Sequence, residues 1–208
     1  MDTYKTIIED TTTQFTEKHS RFIGYVAHTE TDEEAVAFIE KIRSVNSDAR
    51  HNVYAYVLNA DNRMRYSDDG EPHGTAGKPI LDIINGAELK DVTVVVTRYF
   101  GGILLGTGGL VRAYSKSAKD TIDAADKYLM VPGISYSVNL DYSNLAKFES
   151  LLPEFDGTKE EILFEDTVSV KFSVPTSRND EFLLSLKDTF FSSVTAQKTG
   201  NKYTKQKI

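Results

Sequence analysis

The sequence predicts an α+β fold in two consecutive parts, residues 1–131 and 132–208. In the first part, runs of β-branched and aromatic residues alternate with segments whose apolar residues recur at helical spacing. In the second part, the apolar patterns follow the order strand, helix, strand, strand, helix, strand, which is a ferredoxin-like arrangement. Pro132 and Gly133 lie between the two parts, and this dipeptide usually interrupts regular structure. We therefore predict two domains that meet at residue 131.

The composition is typical of a soluble globular protein and narrows the classes of function. The 208 residues include 24 Lys and Arg against 31 Asp and Glu, a net charge of −7, with 40% hydrophobic and 26% charged residues. This balance excludes wholesale disorder and a histone-like positive coat, so any nucleic-acid contact must use a local patch. Cysteine is absent, which excludes disulfides and thiol nucleophiles and is compatible with a reducing cytoplasm. No apolar run could span a bilayer and residues 1–10 lack the apolar core of a signal peptide, so we predict a cytoplasmic protein with no membrane partner.

The elements of the first part follow from hydrophobic period and from start signals. Thr31 and Glu34 form the capping box of a helix. Residues 92–96 are a continuous β-branched run, typical of a central strand. The last helix has an inner face made of Tyr114, Ala118, Ile122, Ala125 and Leu129. The predicted elements are a strand at 21–28, a helix at 31–42, a hairpin of 53–58 with 63–67, a short helix around 80–84, a strand at 92–96 and a helix at 110–129.

The second part is predicted to be a βαββαβ domain of about 75 residues. Its elements are a strand at 134–140, a helix closed by Pro153, a hairpin of 162–164 with 168–174, a helix capped by Ser177 and a strand at 193–198. A tail then begins at Lys198 and contains four lysines and no acidic residue. These lysines either contact phosphates or form a frayed, solvated terminus.

Two glycine-rich loops each lead into a predicted helix, at residues 67–79 and 98–109. The free backbone N–H groups and the positive dipole end of a helix N-terminus suit an anion, and glycine allows close approach. Neither loop matches a named nucleotide motif. Pro79 follows Gly77-Lys78 where a P-loop requires Ser or Thr, and Val111 stands where a dinucleotide fingerprint requires its third glycine.

The second loop predicts an anion-binding or nucleic-acid-binding site. Arg112 lies in the first turn of the predicted helix, where a cation opposes the helix dipole unless an anion is bound there. The alternative is that Arg112 pairs with a nearby acid such as Asp68 or Asp69. We expect the predicted groups to face one crevice and to bind phosphate or sulfate. They are Arg98, Gly101, Gly102, Gly106, Gly108, Gly109, Arg112 and Lys116.

The first loop carries an acidic cluster made of Asp68, Asp69, Glu71 and His73. Its carboxylates could bind a divalent cation, but a solvated turn is the commoner use of this pattern and is favoured here. The four histidines are dispersed and form no zinc-binding spacing, and no nucleophile elbow is present. The sequence therefore predicts no catalytic residue, no metal and no cofactor, and no peptidase activity.

A third candidate surface lies on the predicted hairpin. Tyr54 and Tyr56 share one strand face, and Arg63 and Arg65 share a face of the partner strand. Aromatic and arginine side chains on a sheet can stack on nucleic-acid bases. Core tyrosines covered by a helix are the alternative, which we favour.

Four segments of the chain resemble the YigZ/Impact family: residues 17–23, 49–56, 67–81 and 96–114. The resemblance covers nearly the whole chain. It implies a first domain similar to the second domain of ribosomal protein S-five and a ferredoxin-like second domain similar to one in elongation factor G. Val53 departs from the pattern, since many relatives are expected to have cysteine there, and this argues against a thiol role.

The resemblance also implies a function linked to translation. Eukaryotic relatives regulate translation initiation under amino-acid stress, and some relatives have carried a label for cleavage of Xaa-Pro dipeptides. Our hypothesis is a non-enzymatic cytoplasmic regulator that binds RNA, the ribosome or a translation-related protein. The alternative is an enzyme acting on a phosphate-bearing ligand, with a metal in the acidic loop and with Arg98, Arg112 and Lys116 on the phosphate.

Overall fold

The computed structural model describes residues 2–208 and confirms the α+β class. The chain divides into two compact units, Tyr4–Tyr128 with the last two residues, and Leu129–Gln206 with residues 2–3. That each unit folds separately stays a prediction. Among the described residues, no helix is both long and apolar enough to cross a membrane.

The first unit contains one sheet whose strand order is β2-β3-β6-β4-β5, with every neighbouring pair antiparallel. The strands of this sheet are β2 (Thr11–Glu17), β3 (Ser20–His28), β4 (His51–Val57), β5 (Met64–Ser67) and β6 (Val92–Tyr99), and the unit also contains β1 (Tyr4–Ile7), which is not part of this sheet. The prediction of β6 as the central strand is confirmed. Neither β1 nor β2 was predicted, because β2 is rich in threonine and Phe15 is its single large apolar residue.

Helices cover both faces of this sheet. They are α1 (Asp32–Val45), α2 (Gly77–Gly86) and α3 (Thr107–Ala124). The predicted cap of α1 is confirmed, since Thr31 Oγ1 accepts a hydrogen bond from Glu34 N at 3.2 Å. One apolar cluster includes residues of α2 and α3, and a second includes residues of α1. The prediction for Leu129 is wrong, because α3 ends at Ala124 and Leu129 belongs to the next strand.

The second unit has the predicted element order. Its elements are β7 (Lys127–Leu140), α4 (Tyr142–Leu151), β8 (Thr158–Phe164), β9 (Val168–Pro175), α5 (Asn179–Thr189) and β10 (Gln197–Lys207). The strands are ordered β8-β9-β7-β10, and buried Phe148 and Phe182 pack edge-on against Phe172 with ring centroids 5.1 and 5.4 Å away. The aromatic rings thus join both helices to the central strand β9.

Three local predictions in this unit are wrong. Pro132 and Gly133 do not interrupt regular structure but lie inside β7. A Cβ at Gly133 would stand 2.5 Å from Thr204 Cγ2, so this part of the strand packs too closely for any residue but glycine. Ser177 lies in a 3₁₀ turn, and Arg178 occupies the N-cap position of α5. The last strand is residues 197–207 rather than 193–198, so the lysine tail is an ordered strand and not a frayed end.

Candidate functional site

The two glycine-rich loops meet at a buried ion pair. Arg98, near the end of β6, places its Nη1 2.7 Å from Glu71 Oε1, and the two side chains are only 6% and 4% exposed. The hydroxyl of Tyr114 in α3 donates to the same oxygen at 2.7 Å. Burial, and next the Glu71 carboxylate, raises the pKa of Tyr114, so this hydroxyl remains a donor. The motif residues of three distant segments therefore form one cluster.

This cluster also fixes the second glycine-rich loop to the turn between β2 and β3. Ser20 Oγ accepts a hydrogen bond from Gly101 N at 3.2 Å, and Arg98 Nη2 donates to it at 3.4 Å. A Cβ at Gly101 would lie 2.0 Å from the carbonyl carbon of His19. Gly101 is required because the two backbones are in direct contact.

The carboxylates of the acidic loop, residues 67–79, form hydrogen bonds and ion pairs that hold the local structure. Asp68 accepts hydrogen bonds from Gly74 N at 2.8 Å, Ala76 N at 3.1 Å and Gly77 N at 2.8 Å, and so caps the start of α2. Burial opposes ionisation of Asp68, but the three N–H donors outweigh burial and lower the pKa of its carboxyl. Asp69 pairs with Arg43 at 3.0 Å. The side chain of His73 is 97% exposed.

The acidic side chains therefore point to different partners. Asp69 Oδ2 accepts a hydrogen bond from Asn52 N at 2.6 Å, and Glu71 is engaged by Arg98 and Tyr114. In the part of the chain that the structure describes, no group of three or more His, Asp or Glu side chains is placed to hold a metal ion.

The lowered pKa of Asp68 predicts a pH-dependent effect on stability. A carboxyl with a lower pKa in the folded state contributes stability above its unfolded pKa, and this contribution is lost as pH falls through the folded pKa. We expect Asp68→Ala to lower the free energy of unfolding by about 0.5–2 kcal/mol at neutral pH, and by less at about pH 3.

Urea denaturation of both proteins at the two pH values measures this difference. Asp141→Ala is the matched control, because Asp141 occupies the N-cap position of α4 without a capping hydrogen bond from its side chain. A difference for Asp68→Ala that is the same at both pH values would contradict this role.

A cleft of about 220 Å³ lies between β2 and the start of α3. It is lined by Phe15, Glu17, Lys18, Leu105, Gly109, Arg112, Ala113 and Lys116. The predicted residues Gly109, Arg112 and Lys116 are thus brought together. Arg98 is not among the lining residues, because it pairs across strands with core residue Phe22 and its side chain enters the core, where Glu71 neutralises it.

Arg112 is exposed and is not paired with Asp68 or Asp69, so that alternative is wrong. Within residues 2–208 no carboxylate forms an ion pair with Arg112, and its Nη1 lies 3.7 Å from the position of a Cβ on Gly108. Lys116 pairs with Asp120 one turn later, and its Nζ also lies 4.9 Å from the centre of the Phe15 ring. Arg112 is therefore a cation at the start of α3 that the described residues do not neutralise.

The start of α3 is open to a ligand. Gly106 is the N-cap residue with φ 72°, and the helix has no side-chain cap and no acid in its first turn. Its first N–H groups therefore lack a protein acceptor from any side chain in the described range. Gly102 also has a positive φ, of 84°, and allows the loop to turn before it reaches α3.

Lys18 is a cleft residue that sequence reasoning missed. Lys18 and His19 have φ values of 44° and 62°, and they form the two-residue turn between the paired residues Glu17 and Ser20. The described chain holds no ion-pair partner for Lys18 either. The one sequence signal that could have identified Lys18 is its position in the family motif at residues 17–23.

The hairpin face with Tyr54 and Tyr56 is covered by α1, as favoured above. Tyr56 is 2% exposed and donates a hydrogen bond to Asp32 at the start of that helix. Arg63 pairs with Asp32 and Asp61. These side chains complete the packing of α1 rather than form an open stacking surface.

Comparison with known proteins identifies the class. Residues 18–122 match the Impact N-terminal domain, and residues 138–190 match a domain of unknown function, DUF1949. A protein with these two domains has the layout that the motif resemblance implied, and the boundaries of both matches fall within the two compact units.

Relatives of similar length share this layout. The chain is 39% identical to IMPACT family member YigZ of Escherichia coli over 174 residues, which cover 82% of this chain and 85% of that one. It is 37% identical to IMPACT family member YvyE of Bacillus subtilis over 186 residues, 88% of this chain and 84% of that one. A crystal structure of a hypothetical protein aligns with a TM-score of 0.63 at 36% identity, covering 94% and 97% of the two chains. The chain therefore belongs to the IMPACT family.

Proposed function

We propose that this protein is a cytoplasmic regulator linked to translation that binds single-stranded RNA, including exposed ribosomal RNA, at the cleft beside α3. The link to translation is supported by the family. The observation that carries the RNA assignment is the cleft itself, where the cations Lys18 and Arg112 have no ion-pair partner in the described chain and flank an open helix N-terminus.

The chemistry of the cleft fits a phosphate backbone. A phosphate at the start of α3 accepts hydrogen bonds from the free N–H groups. Its negative charge also makes the interaction of Arg112 with this end of the helix favourable rather than unfavourable. Lys116 adds a third cation, partly neutralised by Asp120, whereas Glu17 opposes an anion. Because the whole chain carries a net charge of −7, the attraction for RNA is confined to this patch, and the affinity for RNA should fall steeply as the salt concentration rises.

A single strand fits better than a duplex because one wall of the cleft is aromatic. Phe15 is half-buried, and its ring stacks on Phe22 with centroids 5.2 Å apart, which holds it in a fixed orientation. Phe22 covers one face of this ring and Lys116 Nζ lies over the ring, so an unpaired base can pack against the part of Phe15 that lines the cleft while its phosphates contact the cations. Leu104, at 82% exposure, extends the apolar surface of the same loop.

The enzyme alternative has less support in the geometry. Asp68 and Asp69 accept hydrogen bonds from backbone N–H groups of the fold, and Glu71 is neutralised by Arg98. Because these carboxylates are committed to separate partners, they do not converge on one point as metal ligands must.

We expect Arg112→Glu to weaken RNA binding by about tenfold or more, because it reverses one phosphate contact at the helix start. Fluorescence anisotropy with a labelled oligouridylate of about 10 nucleotides, titrated at several salt concentrations, measures the affinity and its salt slope. Glu17→Gln should tighten binding, since it removes the opposing charge.

The matched control is Lys119→Glu, which makes the same change of charge on α3 at a lysine that pairs with Asp123 and does not line the cleft. Equal losses for Arg112→Glu and Lys119→Glu would mean that only net charge matters, and the cleft would not be the binding site. Unchanged binding by Arg112→Glu would also reject the proposal.

A further inference from the structure

The end of α5 presents an aromatic side chain in an unfavourable backbone conformation. Phe191 and Ser192 both have a positive φ, of 50° and 61°. The Ser192 N–H donates to Lys187 O at 2.9 Å and the Phe191 N–H donates to Asp188 O at 3.4 Å, which ends the helix in a Schellman-type turn. Phe191 occupies the position of this turn that glycine prefers, so the local fold does not explain a phenylalanine there.

Packing within the chain does not explain Phe191 either. Its side chain is 89% exposed, the highest value among the large apolar residues that the structure describes, whereas its neighbour Phe190 is 4% exposed and belongs to the core. The single ring contact of Phe191 in the described residues is with Lys147, whose Nζ lies 6.0 Å from the ring centre and donates to Thr189 O. An exposed aromatic at a strained position points to an intermolecular contact.

A groove of about 370 Å³ lies directly beside this aromatic side chain. Its walls are mostly apolar and are contributed by Leu183, Leu186, Lys187, Ser192, Val194, Thr195 and Ala196. Leu184, one residue from the groove wall and on the same helix, is 63% exposed. The patch therefore contains both a protruding aromatic ring and an apolar groove of the size that a ring needs.

We infer that the end of α5 is a homodimer interface in which Phe191 of each copy enters the groove of the other copy. A two-fold interface requires a self-complementary patch, and a protrusion beside a matching groove meets this requirement. The charges are also self-complementary. Lys187 and Asp188 are adjacent, exposed and without an ion-pair partner among residues 2–208, so a two-fold axis can place each lysine opposite the aspartate of the other copy.

The patch is small, so we expect a dimer that depends on protein concentration. Sedimentation velocity of the full chain from about 1 µM to about 1 mM should show a shift from monomer to dimer. Phe191→Gly should weaken the dimer at least tenfold while its thermal midpoint, measured where both proteins are monomeric, stays equal or rises. The gain is expected because glycine suits the left-handed backbone.

Two further variants separate this contact from a general loss of exposed apolar surface. Phe164→Ala removes another exposed aromatic residue, on β8, and should leave the dimer unchanged. Lys187→Glu should weaken association, and adding Asp188→Lys to the same chain should restore it, because the opposed charges are then exchanged in both copies.

A wild-type protein that remains monomeric over this range would overturn the proposal. So would a Phe191→Gly variant that dimerises as the wild type does, or one that unfolds at a lower temperature, since Phe191 would then be a packing residue. Neither result depends on RNA binding at the cleft in the first unit.

Discussion

Glu71→Ala should lower the free energy of unfolding by about 3–5 kcal/mol, the cost of breaking a buried ion pair and leaving one charge behind. The substitution leaves the Arg98 guanidinium, 5% exposed, without its counter-charge, and its Nε already lacks a hydrogen-bond partner within the described chain. The Tyr114 hydroxyl loses its acceptor at the same time. Because three segments meet at this carboxylate, the effect should reach both glycine-rich loops.

Chemical denaturation followed by circular dichroism measures the loss. Asp123→Ala is the control, because it breaks an exposed ion pair with Lys119 on α3 and should change stability little. A double variant, Glu71→Leu with Arg98→Met, should recover much of the lost stability, since it removes both charges. If Glu71→Ala costs no more than Asp123→Ala, the pair does not support the fold.

Gly101→Ala should destabilise the protein by about 3 kcal/mol or more, at or above the upper end of the usual cost of overpacking. The added Cβ would stand 2.0 Å from the carbonyl carbon of His19 and 2.1 Å from its oxygen. Both atoms are backbone, so no side-chain rotation relieves the clash. The loop must separate from the β2–β3 turn, which would break the hydrogen bond from Gly101 N to Ser20 Oγ and displace Lys18 from the cleft.

The thermal midpoint of unfolding and the affinity for RNA should therefore both be lower in Gly101→Ala than in the wild type. Gly108→Ala makes the same chemical change seven residues later, where, apart from nearby helix backbone, the one described atom within 4 Å of the new methyl group is the Arg112 side-chain Nη1 at 3.7 Å. Since alanine is favoured over glycine in a helix, this control should be neutral or stabilising. Similar behaviour of the two variants would mean that the contact at Gly101 is not tight.

The sequence predicts the elements of this fold better than the partners of its charged residues. The spacing of apolar residues locates β6 and α3, because the buried residues of each recur at the interval that is specific to a strand or to a helix. The same rules do not decide which strand face Arg98 takes or that Glu71, 27 residues away, neutralises it. The prediction that Arg98 lines the anion-binding crevice rested on loop composition, and it is wrong because Arg98 is buried.

Other differences also come from contacts between distant residues. Lys18 reaches the cleft because its turn packs beside a loop more than 80 residues later, as the contact of Ser20 with Gly101 shows. Gly133 stays in a strand because Thr204 packs where its side chain would be. Local propensity signals a break at such a glycine, and tertiary packing overrides the signal.

The lysines of β10 bear on how the second unit avoids aggregation. In the sheet order β8-β9-β7-β10, this strand pairs with β7 on one side and forms an edge of that unit's sheet. An unpaired edge of 11 residues would be a template for another strand, but β10 carries the long charged side chains of Lys198, Lys202, Lys205 and Lys207, of which Lys202 pairs with Glu160 and Lys207 with Asp126. Docking a second copy there would bury ammonium groups and disturb these ion pairs. The lysines of β10 thus protect the native sheet against edge-to-edge polymerisation.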